Sequence, residues 1–201
     1  MSILDQFIRK IKTTLKNDIG NKIENSVKNA VNNSKKTIKF DHLPVSAEDL
    51  KTLPGGDLAD PFEVAALTMA VLARYPEDRE ACIEMLNYLK GPRPVSPMEA
   101  QFINDRFMDG VDYIPRSYFN GCTVENDYTP SLPYSIDVWE LAHSKDNYDQ
   151  GYLRLFLNSA GADSPRYIDL RLKPSTKQWF LWEYGGMLSG IRVPRSKNEW
   201  A

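Results

Sequence analysis

YLRLFLNSAGADSPRYIDLRLKPSTKQWFLWEY, running from Tyr152 to Tyr184, decides the fold. In its first part Leu153, Leu155 and Leu157 alternate with Tyr152, Arg154, Phe156 and Asn158. Further on, Ile168, Leu170 and Leu172 alternate with Tyr167, Asp169, Arg171 and Lys173. Successive side chains of a pleated strand leave on opposite sides, so a period of two marks a strand with one buried face. The stretch therefore predicts three strands separated by two turn-like breaks. Upstream, Ser135 to Leu141 repeats the pattern, with Ile136 and Val138 opposite Asp137 and Trp139, and Ile191 to Pro194 reads as a last edge piece. The result is an antiparallel meander of about four strands. Its second face, with Phe156 and either Phe180 and Trp182 or Trp179 and Leu181, is too apolar to stay bare. A tyrosine-rich loop, the N-terminal arm or a partner is expected to cover it.

Working back from the strands, helix starts are legible. Ser46-Ala47-Glu48-Asp49 opens a short helix that Pro54-Gly55-Gly56 stops, while Asp60-Pro61-Phe62-Glu63 and Ser96-Pro97-Met98-Glu99 each read as a capping box with proline in the first turn. Three main helices follow. Pro61 to Tyr75 is apolar nearly all round, which marks a central core helix. Pro76 to Lys90 presents Cys82, Met85, Leu86 and Leu89 on one face, and Pro97 to Asp109 buries Phe102, Ile103 and Phe107. Helices first and antiparallel strands afterwards define an α+β domain over residues 41–201, helical over about 46–110 and loop and sheet over about 111–194. The helix of Phe62 to Leu72 is expected to lie on the leucine face of the sheet.

The first 40 residues differ from the rest. They hold nine Lys/Arg against three acids, so they carry +6 and the remainder −8 of the formal −2. Leu4, Phe7, Ile8, Ile11, Leu15, Ile19 and Ile23 recur at steps of three and four, with Lys10, Lys12 and Lys16 on the polar side. This is a basic amphipathic helix whose drift suits an 11-residue repeat better than a heptad. Its chemistry fits an anionic membrane surface; a protein partner, self-association into a homo-oligomer, and a solubilising tail or a helix packed on its own body are the alternatives. Nucleic acid is not an expected partner, because the lysines are diluted by asparagine and lack base-stacking aromatics. Lys35 to Lys39 reads as the linker to the body.

At 201 residues and 42% hydrophobic content the chain can bury a real core. Two cysteines without CxxC spacing suit a reducing compartment. The sequence holds no 18-residue apolar run, and Ile3 to Ile11 is too charged for a signal-peptide core. A cytoplasmic protein, peripheral on the inner face of the membrane if the arm binds lipid, is the expectation.

Catalytic chemistry finds little support. His42 and His143 lie about a hundred residues apart in loop-like sequence with no partner at catalytic spacing. Cys82 sits on an apolar helix face, and Cys122 has nothing nearby in sequence to lower its pKa. Asp105 to Arg116 fails as a calcium loop because Phe107 and Arg116 occupy ligand positions. Gly185, Gly186 and Gly190 match neither a P-loop nor a dinucleotide fingerprint. No cofactor or metal is expected. What remains is a ligand or partner surface built from Tyr118, Tyr128 and Tyr134 in the long aromatic loop and Asp163 and Arg166 in the polar turn, unless those tyrosines simply close the open side of the meander. The leading expectation is a non-catalytic binding or adaptor module tethered by its arm. A small enzyme with a pocket at the open end of the sheet, using Asp163, Arg166 or Glu183, is the alternative.

DPFEVAALTMAVLARY, EMLNYLKGPRPVSPMEAQFINDRF, SYFNG, VENDYTPSLPY, GYLRLFLNSAGADSPRYIDLR and QWFLWEY together resemble an uncharacterised bacterial domain-of-unknown-function family over about Phe40 to Pro194, often preceded by a Lys-rich amphipathic segment. The resemblance implies no activity and no catalytic residues. More loosely, helices followed by a curved meander resemble the cone-shaped nuclear-transport-factor-two-like fold, which hosts enzymes and non-catalytic binders alike.

Overall fold

The computed structural model describes residues 34–200. The arm helix predicted for Met1 to Phe40 falls, except for its last residues, outside the described residues.

The α+β architecture is borne out, with one strand more than expected. The sheet has five antiparallel strands in the order β1-β2-β3-β4-β5: β1 Lys35–Phe40, β2 Tyr134–Trp139, β3 Tyr152–Leu157, β4 Arg166–Lys173 and β5 Gln178–Glu183. The strand β1 corrects the linker reading of Lys35 to Lys39. It pairs with β2 from Lys35↔Trp139 to Phe40↔Tyr134, turning Ile38 and Phe40 into the core and the lysines outward. Four α-helices lie between β1 and β2: α1 Ala47–Leu50, α2 Pro61–Leu72, α3 Arg79–Lys90 and α4 Pro97–Arg106.

The sheet curls into a half-barrel, and α2 occupies its concave side, touching all five strands. Every residue of α2 from Val64 to Leu72 is fully buried, and the Thr68 hydroxyl is satisfied by donating to the Val64 carbonyl at 2.8 Å. Against it lie Leu153, Leu155 and Leu157, Ile168 and Leu170, and Trp179 and Leu181. The leucine face predicted from the alternation is therefore the core face. Its lid is the predicted helix.

Helix ends differ from the sequence reading for local reasons. α2 stops at Leu72 rather than Tyr75: the Arg74 and Tyr75 N–H groups donate three residues back, to the Val71 and Leu72 carbonyls, ahead of Pro76, which has no N–H to continue the helix. α3 begins at Arg79 rather than Pro76, since Asp78 caps it by accepting the Ala81 N–H at 3.0 Å. α4 ends at Arg106, three residues short of Asp109, which adopts a positive φ of 57°. The Ser96 box forms in full, whereas Glu63 leaves its box half-made: it accepts the Gly55 N–H at 2.9 Å instead.

The second face of the sheet is covered by its own arginines. Arg154 donates through Nε and Nη2 to the two oxygens of Asp169 at 2.7 and 2.8 Å and lies 3.9 Å from the Tyr167 ring centroid. Arg171 stacks on Tyr152 at 4.5 Å and on Trp182 at 5.1 Å. The segment after β5 is not the predicted strand at Ile191 to Pro194 but a strap. It binds back through the Arg192 N–H to the Gly161 carbonyl at 2.9 Å and the Arg195 N–H to the Val124 carbonyl at 3.0 Å. No helix among the described residues is long and apolar enough to cross a membrane.

Candidate functional site

The sheet is incompletely paired. β2 and β3 share only Val138↔Leu157 and Trp139↔Phe156, and then diverge. The segment Pro115 to Asn120 enters the gap as a wedge. The Asn120 N–H donates to the Ser135 carbonyl at 2.8 Å, the Ala160 N–H donates to the Ser117 carbonyl at 2.9 Å, and the Ser117 and Ser159 hydroxyls bond at 2.6 Å. A wedge of main-chain bonds, helped by one pair of hydroxyls, thus replaces ladder bonds that a strand pair would otherwise make.

Two open clefts flank the wedge and share Tyr118, Asn120 and Asn158. The first, of about 380 Å³, is also lined by Lys35, Asp137, Trp139 and Glu140. The second, of about 410 Å³, runs past Cys122 to Asp163 and Pro165. Asp137 accepts from Lys35 at 2.6 Å, Thr37 at 2.6 Å and Asn120 at 3.3 Å. Burial works against its charge, and these three donors outweigh burial, holding the carboxyl below its ordinary value. Glu140 is 3% exposed and paired with Lys145 at 3.0 Å.

The nucleophile candidates are disarmed by their surroundings. Burial pushes the Cys122 thiol up to about 11 and Cys82 up to about 12, so neither supplies a thiolate near neutral pH. His42 bonds Asp49 at 2.9 Å, and that bond leads the set that lowers the Asp49 pKa. His143 faces Asp146 at 3.4 Å in the turn before β3. Neither histidine lines the clefts beside the wedge. Among the described residues no group of three His, Cys, Asp or Glu side chains is placed to hold a metal ion. Amides and already paired charges suit hydrogen bonding to a ligand better than moving its protons.

The residues predicted for a ligand surface separate. Tyr118 lines both clefts with a largely buried ring, and its hydroxyl donates to the Met187 carbonyl at 2.8 Å. Asp163 joins it in the second cleft, exposed and paired with Arg192. Tyr128 is wholly buried, stacked on Tyr113 at 5.8 Å, with its hydroxyl donating to the Arg192 carbonyl at 2.9 Å. Tyr134 meets Phe119 edge-on at 5.7 Å. Arg166 spends its donors on the Ser164, Ser189 and Gly190 carbonyls and the Ser164 hydroxyl. So Tyr118 and Asp163 come together, while Tyr128 and Arg166 tie the loop and the strap to the body. Sequence reasoning missed Asn120, Asp137, Glu140 and Asn158. Asp137 at an outward strand position looks like any solvated face, and Asn120, Glu140 and Asn158 lie in or next to loops, where polar residues are the rule.

A family model described as a domain of unknown function (DUF6935) matches residues 42–195, and the chain belongs to that family. No curated protein and no solved structure matches it.

Proposed function

We propose that this member of a domain family of unknown function is a non-catalytic binding module held at an anionic membrane surface by residues 1–33. The observation that carries the first half is the filling of the half-barrel. In a cone-shaped enzyme the pocket lies on the concave side of the sheet, and here α2 occupies that side with residues that are almost all buried. The open clefts lie outside, beside the wedge, and their Asp137 and Glu140 carboxylates are held by Lys35 and Lys145. Such sites recognise a ligand through shape and hydrogen bonds.

The tether rests on the alternation of Leu4, Phe7, Ile8, Ile11, Leu15, Ile19 and Ile23 with Lys10, Lys12 and Lys16. Each lysine close to an anionic leaflet contributes about 1 kcal/mol. Lys35 is both the first residue of β1 and part of the lining of the first cleft.

Flotation with vesicles of phosphatidylcholine and phosphatidylserine tests the tether. The full chain is expected to float and to lose flotation as salt rises. K10E/K12E/K16E should weaken binding by about two orders of magnitude or more. Equal flotation of the two proteins would overturn the membrane reading. A fall in oligomer mass by light scattering on removal of residues 1–33 would instead assign the arm to self-association.

A further inference from the structure

The link from α3 to α4 crosses the β4–β5 hairpin, and the surface there holds an apolar slot of about 290 Å³. Phe180, Leu181 and Trp182 of β5 line it together with Pro92 and Pro174. This lining is tightly built: Gly91 has φ +56°, and a Cβ added there would fall 2.2 Å from Cε1 of Phe180. Four cations also line the slot: Lys90, whose buried ammonium pairs with Glu99, and Arg93, Arg171 and Lys173. Arg93 and Arg171 are positioned by stacking on the same indole, 4.4 and 5.1 Å from the Trp182 ring centroid.

Among the described residues the last three of these cations have no counter-charge. Neighbouring carboxylates are committed elsewhere: Asp169 to Arg154 at 2.7 Å, Glu99 to Lys90 at 2.8 Å, and Glu183 to the N–H groups of Tyr184 and Gly185 at 3.0 and 2.8 Å. Among the described residues Arg93, Arg171 and Lys173 form no ion pair, although residues 41–201 carry −8 overall. A positive rim on an acidic body is a local field that selects a short anionic group and repels a long polyanion. At about 290 Å³ the slot lies just below the size of small-molecule clefts, and it suits one seated side chain. Residues 1–33 are a poor occupant, with six Lys/Arg against three acids.

We propose that the slot is a docking site for an acidic segment of a partner protein. One apolar side chain of that segment sits on Phe180 and Trp182, and its flanking carboxylates meet Arg93, Arg171 and Lys173. This deepens the binding-module reading and rests on it.

The probe is an end-capped, fluorescein-labelled peptide with one phenylalanine flanked by two glutamates on each side, titrated against the full chain by anisotropy. Saturable binding that weakens with salt is expected. The same peptide with glutamines should bind about tenfold more weakly, or worse. R93E/K173E should lose about tenfold or more, and W182A should lose the seat for the phenylalanine. K39E, an exposed change on β1, should change nothing. Thermal melts of R93E/K173E matching the parent would assign the loss to the slot and not to unfolding. Absence of saturable binding, an R93E/K173E affinity equal to the parent's, or tighter binding of a single-stranded oligonucleotide would each overturn the proposal. None of these results alters the flotation outcome, so the slot and the tether fail independently.

Discussion

Lys90 is the last residue of α3, and its ammonium is fully buried, 2.8 Å from Glu99 Oε1 and 5.5 Å from the Tyr184 ring centroid. Glu99 does two jobs. It accepts from Lys90, and its other oxygen accepts the Ser96 N–H at 3.0 Å to complete the capping box of α4. Burial opposes its charge, but the bonds from Lys90 and Ser96 outweigh burial and keep the carboxyl below its ordinary 4.5. Because the folded value lies below the unfolded one, this stabilisation is complete above about 4.5 and is lost as pH falls through the folded value. The two partners are not equivalent. Glu99→Ala strands a buried ammonium and should cost about 3 kcal/mol, whereas Lys90→Met leaves Glu99 near water and should cost about 1 kcal/mol or less. Urea melts at neutral pH measure both, and a Glu99→Gln melt series toward acid should lack part of the parent's decline. The Ser96–Glu99 capping box was legible in the sequence, but the Lys90–Glu99 pair was not. Lys90 read only as the polar end of a helix before Gly91, because lysine at a helix end usually faces solvent.

Among elements, β1 is the one the sequence concealed. In Lys35-Lys36-Thr37-Ile38-Lys39-Phe40 only two positions are apolar, and lysines dominate what resembles a linker. Those two are the inward residues, with Phe40 at 1% exposure, and the lysines guard a sheet edge against stray pairing. A chain starting at Ser34 should therefore melt with the parent. One starting at Asp41 loses Ile38, Phe40 and the β1–β2 ladder, and calorimetry should show a loss of about 4 kcal/mol or more. By contrast β3, β4 and β5 were readable because pleat alternation is a local property of six to eight residues. The caps at Ser46, Asp60 and Ser96 were local too, since each bonds within three positions. The missed boundaries at Leu72 and Arg79 came from weighing proline as a helix start at Pro76, when Asp78 was the stronger cap.

At the scale of the molecule, three segments without strands or α-helices are laced together. The tyrosine-rich loop, the β3–β4 turn and the strap meet at Gly161, where an added Cβ would lie 2.3 Å from the Tyr128 hydroxyl and 2.6 Å from Cγ2 of Ile191. Tyr118 and Tyr128 bond to the Met187 and Arg192 carbonyls, and Lys197 donates to Gly110 and Asp112 at 2.7 and 2.8 Å. Most of these acceptors are backbone atoms, which any residue supplies, so no residue pattern announced the strap. The aromatic content of the loop did announce burial, though not what the rings would touch. Gly161→Ala should push the three segments apart at a cost of about 1–3 kcal/mol. Hydrogen exchange should then quicken over residues 113–128 and 187–197 while α2 stays protected.

The pairing of β1 with β2 also has a consequence in time. Thr37 donates to Asp137 at 2.6 Å across 100 positions of sequence. A ribosome adding about 5–20 residues per second needs about 5–20 s to deliver that partner. For that interval Ile38 and Phe40 lack the strand that covers them in the finished sheet. The lysines that protect the finished edge stand guard first over an orphan strand during synthesis.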